Sequence, residues 1–122
     1  MVRRNDLKEL LRELRSGLEG IYGARLKGMY LFGSYARGDQ DEESDLDILV
    51  ILDHYTDYIA EVMRAGRLAS DLSLRYEVTA CPVFLREDVW LHGESPFLNC
   101  VRPEAIAARH NRGQGFTFYI EN

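Results

Sequence analysis

Residues 30–53 read Tyr-Leu-Phe-Gly-Ser-Tyr-Ala-Arg-Gly-Asp-Gln-Asp-Glu-Glu-Ser-Asp-Leu-Asp-Ile-Leu-Val-Ile-Leu-Asp, and this stretch decides the fold. An apolar run ends at Gly33-Ser34, a polar loop follows, and a second apolar run opens with Asp45-Leu-Asp47. Alternation along a strand places Asp45 and Asp47 on the same face. Two neighbouring carboxylates repel each other unless a cation or a shared proton compensates, so the pattern indicates a divalent metal ion.

The length and composition of the whole chain are typical of one globular domain. With 122 residues, of which 46% are hydrophobic and 29% charged, the chain can bury a core without disulfides. We expect residues 1–122 to form a single domain, and the sequence leaves open whether the tail from about residue 110 belongs to it. No apolar run approaches the roughly 18 residues that span a bilayer, and no signal peptide is evident. We expect a cytoplasmic protein with no membrane partner.

The acidic residues are distributed unevenly. The formal net charge is -5, which argues against general nucleic-acid binding because phosphate neutralisation needs a basic face. Six acidic residues fall within nine positions: Asp39, Asp41, Glu42, Glu43, Asp45 and Asp47. An anionic substrate therefore has to arrive with a counter-cation.

The chain contains two cysteines, Cys81 and Cys100, without the C-x-x-C spacing of metal or redox sites. Both lie in apolar surroundings. We therefore predict two buried, reduced thiols rather than a disulfide or a metal site.

The hydrophobic periodicity predicts helices and strands in alternation. Leucines at helical spacing predict an amphipathic helix that begins near Asn5 or Asp6 and ends at Gly20 to Gly23. The pattern then predicts a strand over residues 27–32, a helical turn from Tyr35, a strand over 45–53, a helix over 55–76, a strand over 77–85, a helix from Arg86, a helix over 97–109 and a short strand from Gly113. The strand over 45–53 is expected to be central and covered on both faces, and Pro82 favours an edge position for the strand over 77–85. This order predicts an α/β (α+β) fold with a small mixed β-sheet flanked by helices.

The residues around the polar loop suit a nucleoside triphosphate. Gly33 allows a ligand to approach the backbone closely, and Ser34 supplies a hydroxyl and an N–H at the start of a helical turn, where phosphate is favoured. Asp45 and Asp47 supply the hard carboxylate oxygens that Mg²⁺ prefers, with phosphates completing its coordination. Arg37 could contact a phosphate or pair with the acidic loop.

Gly33-Ser34, followed after ten residues by Asp45-Leu-Asp47 and an Ile-Leu-Val run, resembles the signature of the DNA polymerase β-like nucleotidyltransferase superfamily. The segments Leu-Phe-Gly-Ser-Tyr-Ala-Arg-Gly-Asp and Glu-Ser-Asp-Leu-Asp-Ile are similar to its minimal nucleotidyltransferase (MNT) branch in particular. The likeness is specific over residues 30–53, and the order of elements fits over residues 5–90. It implies a nucleotidyltransferase fold and one minimal nucleotidyltransferase domain.

The resemblance also implies the chemistry. Members transfer a nucleoside monophosphate, most often AMP from ATP, to an acceptor hydroxyl and release pyrophosphate. Two Mg²⁺ ions would be bridged by Asp45 and Asp47, and Gly33 and Ser34 would contact the nucleotide. Arg37 is a further candidate for a nucleotide contact, with pairing to the acidic loop as its alternative. The family uses a third carboxylate on a later strand. The third predicted strand here offers only Glu77, at its start, as a catalytic and metal-binding residue.

Small MNT chains resemble the antitoxins of HEPN/MNT toxin–antitoxin pairs, which transfer AMP to a tyrosine of the HEPN ribonuclease. This resemblance implies a HEPN-type protein partner. Two alternatives stay open from the sequence. The chain could be a weak or inactive binding module that neutralises its partner by covering it, or a homodimeric nucleotidyltransferase that modifies a small molecule such as an antibiotic.

Overall fold

The structure, a computed structural model, describes residues 4–111 and 115–120, and the side chains of residues 6–109. The helices are α1 (Arg4–Tyr22), α2 (Ser34–Arg37), α3 (Tyr58–Tyr76), α4 (Glu87–His92) and α5 (Pro96–Glu104). The strands are β1 (Leu26–Phe32), β2 (Leu46–Leu52), β3 (Ala80–Arg86), β4 (Ile106–Asn111) and β5 (Gly115–Ile120). None of the helices described is both long and apolar enough to cross a membrane.

The strands form one mixed sheet in the order β3-β2-β1-β4-β5. β2 and β3 run parallel, joined by α3, whereas β1 pairs antiparallel with both β2 and β4. The mixed sheet flanked by helices confirms the predicted fold class. Pro82 lies in the outermost strand, β3, as expected for a residue that cannot donate a ladder hydrogen bond.

The strand directions bring four chain segments to one end of the sheet. Phe32 near the end of β1 pairs with Asp47 at the start of β2, and Asp47 pairs with Cys81 at the start of β3. On the far side of β1, Leu31 pairs with Ile106, the first residue of β4. We call this end, marked by Phe32, Asp47, Cys81 and Ile106, the site end of the sheet. The residues that precede or follow these strands meet there.

β2 separates two apolar layers. One layer packs the sheet against α1 and α3 and includes Leu46, Ile48, Val50 and Leu52 from β2. Leu49 and Ile51 point into the other layer, with Val101 of α5 and Ala105. The prediction that this strand is covered on both faces is confirmed. β2 lies inside the sheet, although β1 is the middle strand.

A buried polar contact joins α1 to α3. The hydroxyl of Tyr22 donates a hydrogen bond of 2.9 Å to Oε1 of Glu61, which also pairs with Arg64. Glu61 is only 5% exposed. Burial and the bond to Glu61 raise the pKa of Tyr22 to about 12. The phenol therefore stays protonated in the folded protein well above its ordinary pKa.

Several predicted boundaries are wrong. β2 spans Leu46–Leu52 rather than residues 45–53, so Asp45 precedes the strand. α1 begins at Arg4, slightly before the predicted caps. α3 begins at Tyr58 rather than Tyr55, because the carboxylate of Asp57 caps it by accepting a 3.2 Å hydrogen bond from the N–H of Ala60. β3 begins at Ala80 rather than Glu77, because Glu77 ends α3 in the left-handed conformation, with φ of 54°.

The helix predicted over residues 97–109 is also wrong in its second half. α5 ends at Glu104, and the chain continues as β4, which pairs with β1 and β5. The Ile-Ala-Ala-Arg segment suits a helix by propensity, but pairing on both sides overrides that preference. The predicted terminal strand is present as β5.

The cysteines are partly as predicted. Both are free thiols, which confirms the absence of a disulfide between them. Cys81 is half-buried, but Cys100 lies exposed on α5, so the prediction that both thiols are buried is wrong. The apolar neighbours of Cys100 in sequence face the core from other positions of the helix.

Candidate functional site

Gly33 lies directly against the carboxylate of Asp47. Its backbone has φ of 76° and ψ of -155°, a conformation that is essentially restricted to glycine. A Cβ added to Gly33 would lie 2.4 Å from Oδ2 of Asp47. Glycine is therefore required here both by the backbone and by the carboxylate beside it.

Asp45 and Asp47 flank Leu46 where β2 begins. The N–H of Leu46 donates a 2.8 Å hydrogen bond to the carbonyl of Thr79, which fixes the start of β2 against the chain that leads into β3. Asp45 is exposed and Asp47 is half-buried. Burial and the neighbouring charge of Asp45 raise the pKa of Asp47. The protein alone therefore leaves the charge of Asp47 poorly compensated.

The third carboxylate predicted from the sequence is not at the start of β3. Glu77 is exposed at the end of α3, and β3 begins three residues later. The parallel register instead places Cys81 beside Asp47, and paired residues in a parallel ladder share a face. Burial, followed by the charges of Asp45 and Asp47, raises the pKa of Cys81. A protonated thiol thus occupies the strand position next to Asp47.

Glu104, which sequence reasoning did not single out, reaches the site from the other side of β1. Its Oε1 accepts a 3.1 Å hydrogen bond from the N–H of Gly33. Its Oε2 accepts a 2.9 Å hydrogen bond from Nη1 of Arg37. The charge of Glu104 also contributes to the raised pKa of Asp47, after burial and Asp45. Only recognition of β4 as a strand beside β1 could have located this residue.

Arg37 is held by two carboxylates at the rim of the site. Besides the contact with Glu104, its Nε donates a 3.2 Å hydrogen bond to Oδ2 of Asp39. Its side chain is 48% exposed. Of the two roles that the sequence left open for Arg37, pairing with the acidic loop is present in the structure. Ser34 begins α2 next to this arginine and is half-buried.

The loop before β2 is ordered by its own side chains. Oδ1 of Asp41 accepts a 2.9 Å hydrogen bond from the N–H of Glu43, and the N–H of Asp41 donates one of 2.9 Å to Oγ of Ser44. These contacts are typical of an Asx turn. The turn leads into Asp45 and the start of β2. Glu42 and Glu43 of the turn are exposed.

The residues at the site end fit part of a magnesium site. Across the side chains that the structure describes, no three His, Cys, Asp or Glu residues form a group that could hold a metal ion by themselves. Mg²⁺ is commonly bound through one or two carboxylates together with substrate phosphates and water. Asp45 and Asp47 suit such a shared site, in which the nucleotide brings the remaining ligands.

Comparison with known proteins also indicates a nucleotide-transferring family. Residues 7–92 match the model of the nucleotidyltransferase domain. A protein from Methanocaldococcus jannaschii with the provisional name protein adenylyltransferase is 32% identical over 84 residues, which are 69% of this chain and 84% of the relative.

Two solved structures share the architecture. A provisionally named nucleotidyltransferase from Sulfolobus solfataricus has a TM-score of 0.56 at 22% identity, over 93% of this chain and 84% of that chain. At this identity the likeness shows the fold alone. A toxin–antitoxin structure with AMP-PNP has a TM-score of 0.52 at 30% identity, over 84% of this chain and 69% of that chain.

Proposed function

The chain belongs to the nucleotidyltransferase domain family, in its minimal nucleotidyltransferase branch, and from this we propose that it transfers AMP from ATP to a hydroxyl of a HEPN-type protein partner. Nucleotidyl transfer itself follows from the family. We also propose the identity of the nucleotide, the requirement for Mg²⁺, the acceptor and a cytoplasmic setting. A single domain over residues 1–122 is likewise part of the proposal.

The contact between Gly33 and Asp47 is the observation that carries the proposal. It would join the phosphate side of the predicted site to the metal side, since Gly33 lies between β1 and α2 and Asp47 lies at the start of β2. Gly33, Ser34 and Arg37 would hold the triphosphate, and Asp45 and Asp47 would hold Mg²⁺. When bound, the metal supplies neutralisation of the phosphate charge.

The reaction requires one bond exchange at the α-phosphorus. The acceptor oxygen bonds to the α-phosphorus, the bond from that phosphorus to the oxygen bridging to the β-phosphate breaks, and pyrophosphate leaves while the acceptor proton passes to a base. Such transfer depends on positioning and on electrostatic stabilisation more than on covalent catalysis. The raised pKa of Cys81 keeps its thiol protonated, so a nucleophilic role for this cysteine is not part of the proposal.

A protein acceptor is supported by two of the similar proteins. The relative from Methanocaldococcus jannaschii carries the name protein adenylyltransferase, and the structure with AMP-PNP is a toxin–antitoxin assembly. Both are similar to this chain at or above 30% identity. An antitoxin that adenylylates its partner protein would combine the protein adenylyltransferase activity named for one relative with the toxin–antitoxin assembly of the other.

A second candidate function has its own supporting observation. β3 presents Cys81, not a carboxylate, beside Asp47, and Glu77 lies at the end of α3. That Glu77 is the third metal ligand stays a prediction. The position of Glu77 at the end of α3 makes this prediction weaker. With two strand carboxylates the chain could bind nucleotide weakly and neutralise its partner by covering it.

Intact-mass spectrometry of the HEPN-type partner separates the two functions. After incubation with this chain, ATP and Mg²⁺, we expect mass increments of one or more adenylyl groups on the partner. The variant D45N/D47N should add none. If the partner gains no mass but is still neutralised by both forms of the chain, the binding function is correct and AMP transfer is wrong.

A further inference from the structure

We propose that Glu104 is an affinity-determining residue, whose carboxylate occupies the position of a nucleotide phosphate and must be displaced when the triphosphate binds. This inference rests on the proposed function, because it concerns the same nucleotide site. It names a residue outside the Gly-Ser and Asp-x-Asp segments, supplied by α5 from the opposite side of β1.

The contacts of Glu104 are those that a phosphate oxygen pair would make. One oxygen accepts from the backbone N–H of Gly33 at 3.1 Å, and the other accepts from the guanidinium of Arg37 at 2.9 Å. A backbone N–H and an arginine converging on one anion are a recurrent way to bind phosphate. Gly33 and Arg37 are also the residues predicted to contact the nucleotide, so both donors are already engaged by an anion of the chain itself.

The local charge makes simultaneous binding unfavourable. Arg37 is already paired with Asp39 as well as Glu104. A triphosphate placed on Arg37 would therefore meet a carboxylate at hydrogen-bond distance from the same guanidinium, and like charges at such separations repel.

The displacement involves the side chain of Glu104, because its backbone is fixed on both sides. Before it, Arg102 donates hydrogen bonds to the carbonyls of Trp90 and Gly93, which tie the end of α5 to α4 and the loop after it. After it, Ala105 is buried and leads into β4, which pairs with β1. The side chain of Glu104 is 21% exposed, so rotation toward solvent is open to it.

Titration calorimetry with MgATP tests this inference on the full chain. E104Q keeps a carbonyl oxygen for the N–H of Gly33 but removes the charge that opposes phosphate. Removing a partly exposed ion pair of this kind should tighten MgATP binding about two- to fivefold. E94Q, an exposed glutamate in the loop between α4 and α5, is the matched control and should bind like the wild type.

The outcomes separate this inference from the proposed function. Weaker MgATP binding by E104Q would mean that Glu104 positions Arg37, and unchanged binding would mean that it has no effect; both results overturn the inference while leaving the proposed function intact. In the background of R37A, E104Q should lose most of its effect. Circular dichroism and thermal unfolding of E104Q beside the wild type check that a change in binding does not come from misfolding. If no form binds MgATP, the nucleotide site and this inference both fail.

Discussion

Replacing Gly33 with alanine perturbs the candidate site at its tightest point. The added methyl group would lie 2.4 Å from Oδ2 of Asp47, 3.2 Å from its Cγ and 3.3 Å from its Cβ. Asp47 cannot withdraw as a whole, because β2 pairs with β1 on one side and β3 on the other. The carboxylate must therefore rotate away from Gly33.

Two costs follow from this substitution. The backbone conformation of Gly33, at φ of 76° and ψ of -155°, costs a residue with a side chain on the order of 1–3 kcal/mol. A domain stable by about 5–15 kcal/mol should still fold. If Asp47 holds Mg²⁺ as proposed, misplacing its carboxylate by about 1 Å should lower nucleotidyl transfer about 100-fold.

Gly23→Ala is the matched control. Gly23 also has a positive φ, of 56°, and it precedes β1 at the end opposite the site. Apart from Gly23 itself and its neighbours along the chain, no atom of the described residues lies within 4 Å of where the added methyl group would be. G23A should cost about 1–2 kcal/mol of unfolding free energy and leave transfer unchanged. Urea unfolding and the transfer rate, measured on G33A, G23A and the wild type, separate backbone strain from displacement of Asp47. Equal transfer rates for G33A and G23A would refute the reasoning.

Three further predictions concern single side chains. The pKa of Asp47 is raised in the fold, so its ionisation lowers stability as pH rises through that pKa. At pH 7 without divalent ions, D47N should therefore unfold at a urea concentration no lower than that of the wild type. A clear loss of stability would contradict this. C81D places a carboxylate beside Asp47, so without divalent ions its Tm should fall below that of the wild type. Adding Mg²⁺ or Mn²⁺ should raise the Tm of C81D more than that of the wild type. An equal rise in Tm for both proteins would contradict the pairing of Cys81 with Asp47. The pKa of Tyr22 is raised to about 12, so the wild type should lose stability between about pH 10 and pH 12, where the unfolded phenol ionises first; Y22F should lack this part of the loss in urea unfolding across that range, and an unchanged slope would contradict it.

The part of the site that depends on local patterns was predictable from the sequence. Strand alternation predicted that Asp45 and Asp47 share a face. The two-sided apolar pattern of β2 identified an interior strand, and the structure confirms that β2 is covered on both faces. Gly33 and the two aspartates were predicted to form the two halves of one nucleoside triphosphate site. The structure brings Gly33 and Asp47 into contact.

The part that depends on distant pairing was not predictable. Glu104 reaches Gly33 only because residues 106–111 form β4 beside β1, and that pairing overrides a helix-compatible sequence. Cys81, and not Glu77, pairs with Asp47 because α3 continues to Tyr76 and β3 begins only at Ala80. A shift of three residues at an element boundary changes which side chain meets Asp47, and boundaries are weakly encoded in local sequence.

Transfer of label from ATP to the proposed HEPN-type partner is the most direct test of the proposed reaction. With Mg²⁺ and ATP labelled at the α-phosphate, the partner should become labelled by the wild-type chain and not by D45N/D47N. ATP labelled at the γ-phosphate should leave the partner unlabelled, because pyrophosphate departs. Labelling from the γ-phosphate, or equal α-labelling by D45N/D47N, would contradict AMP transfer by the aspartate pair.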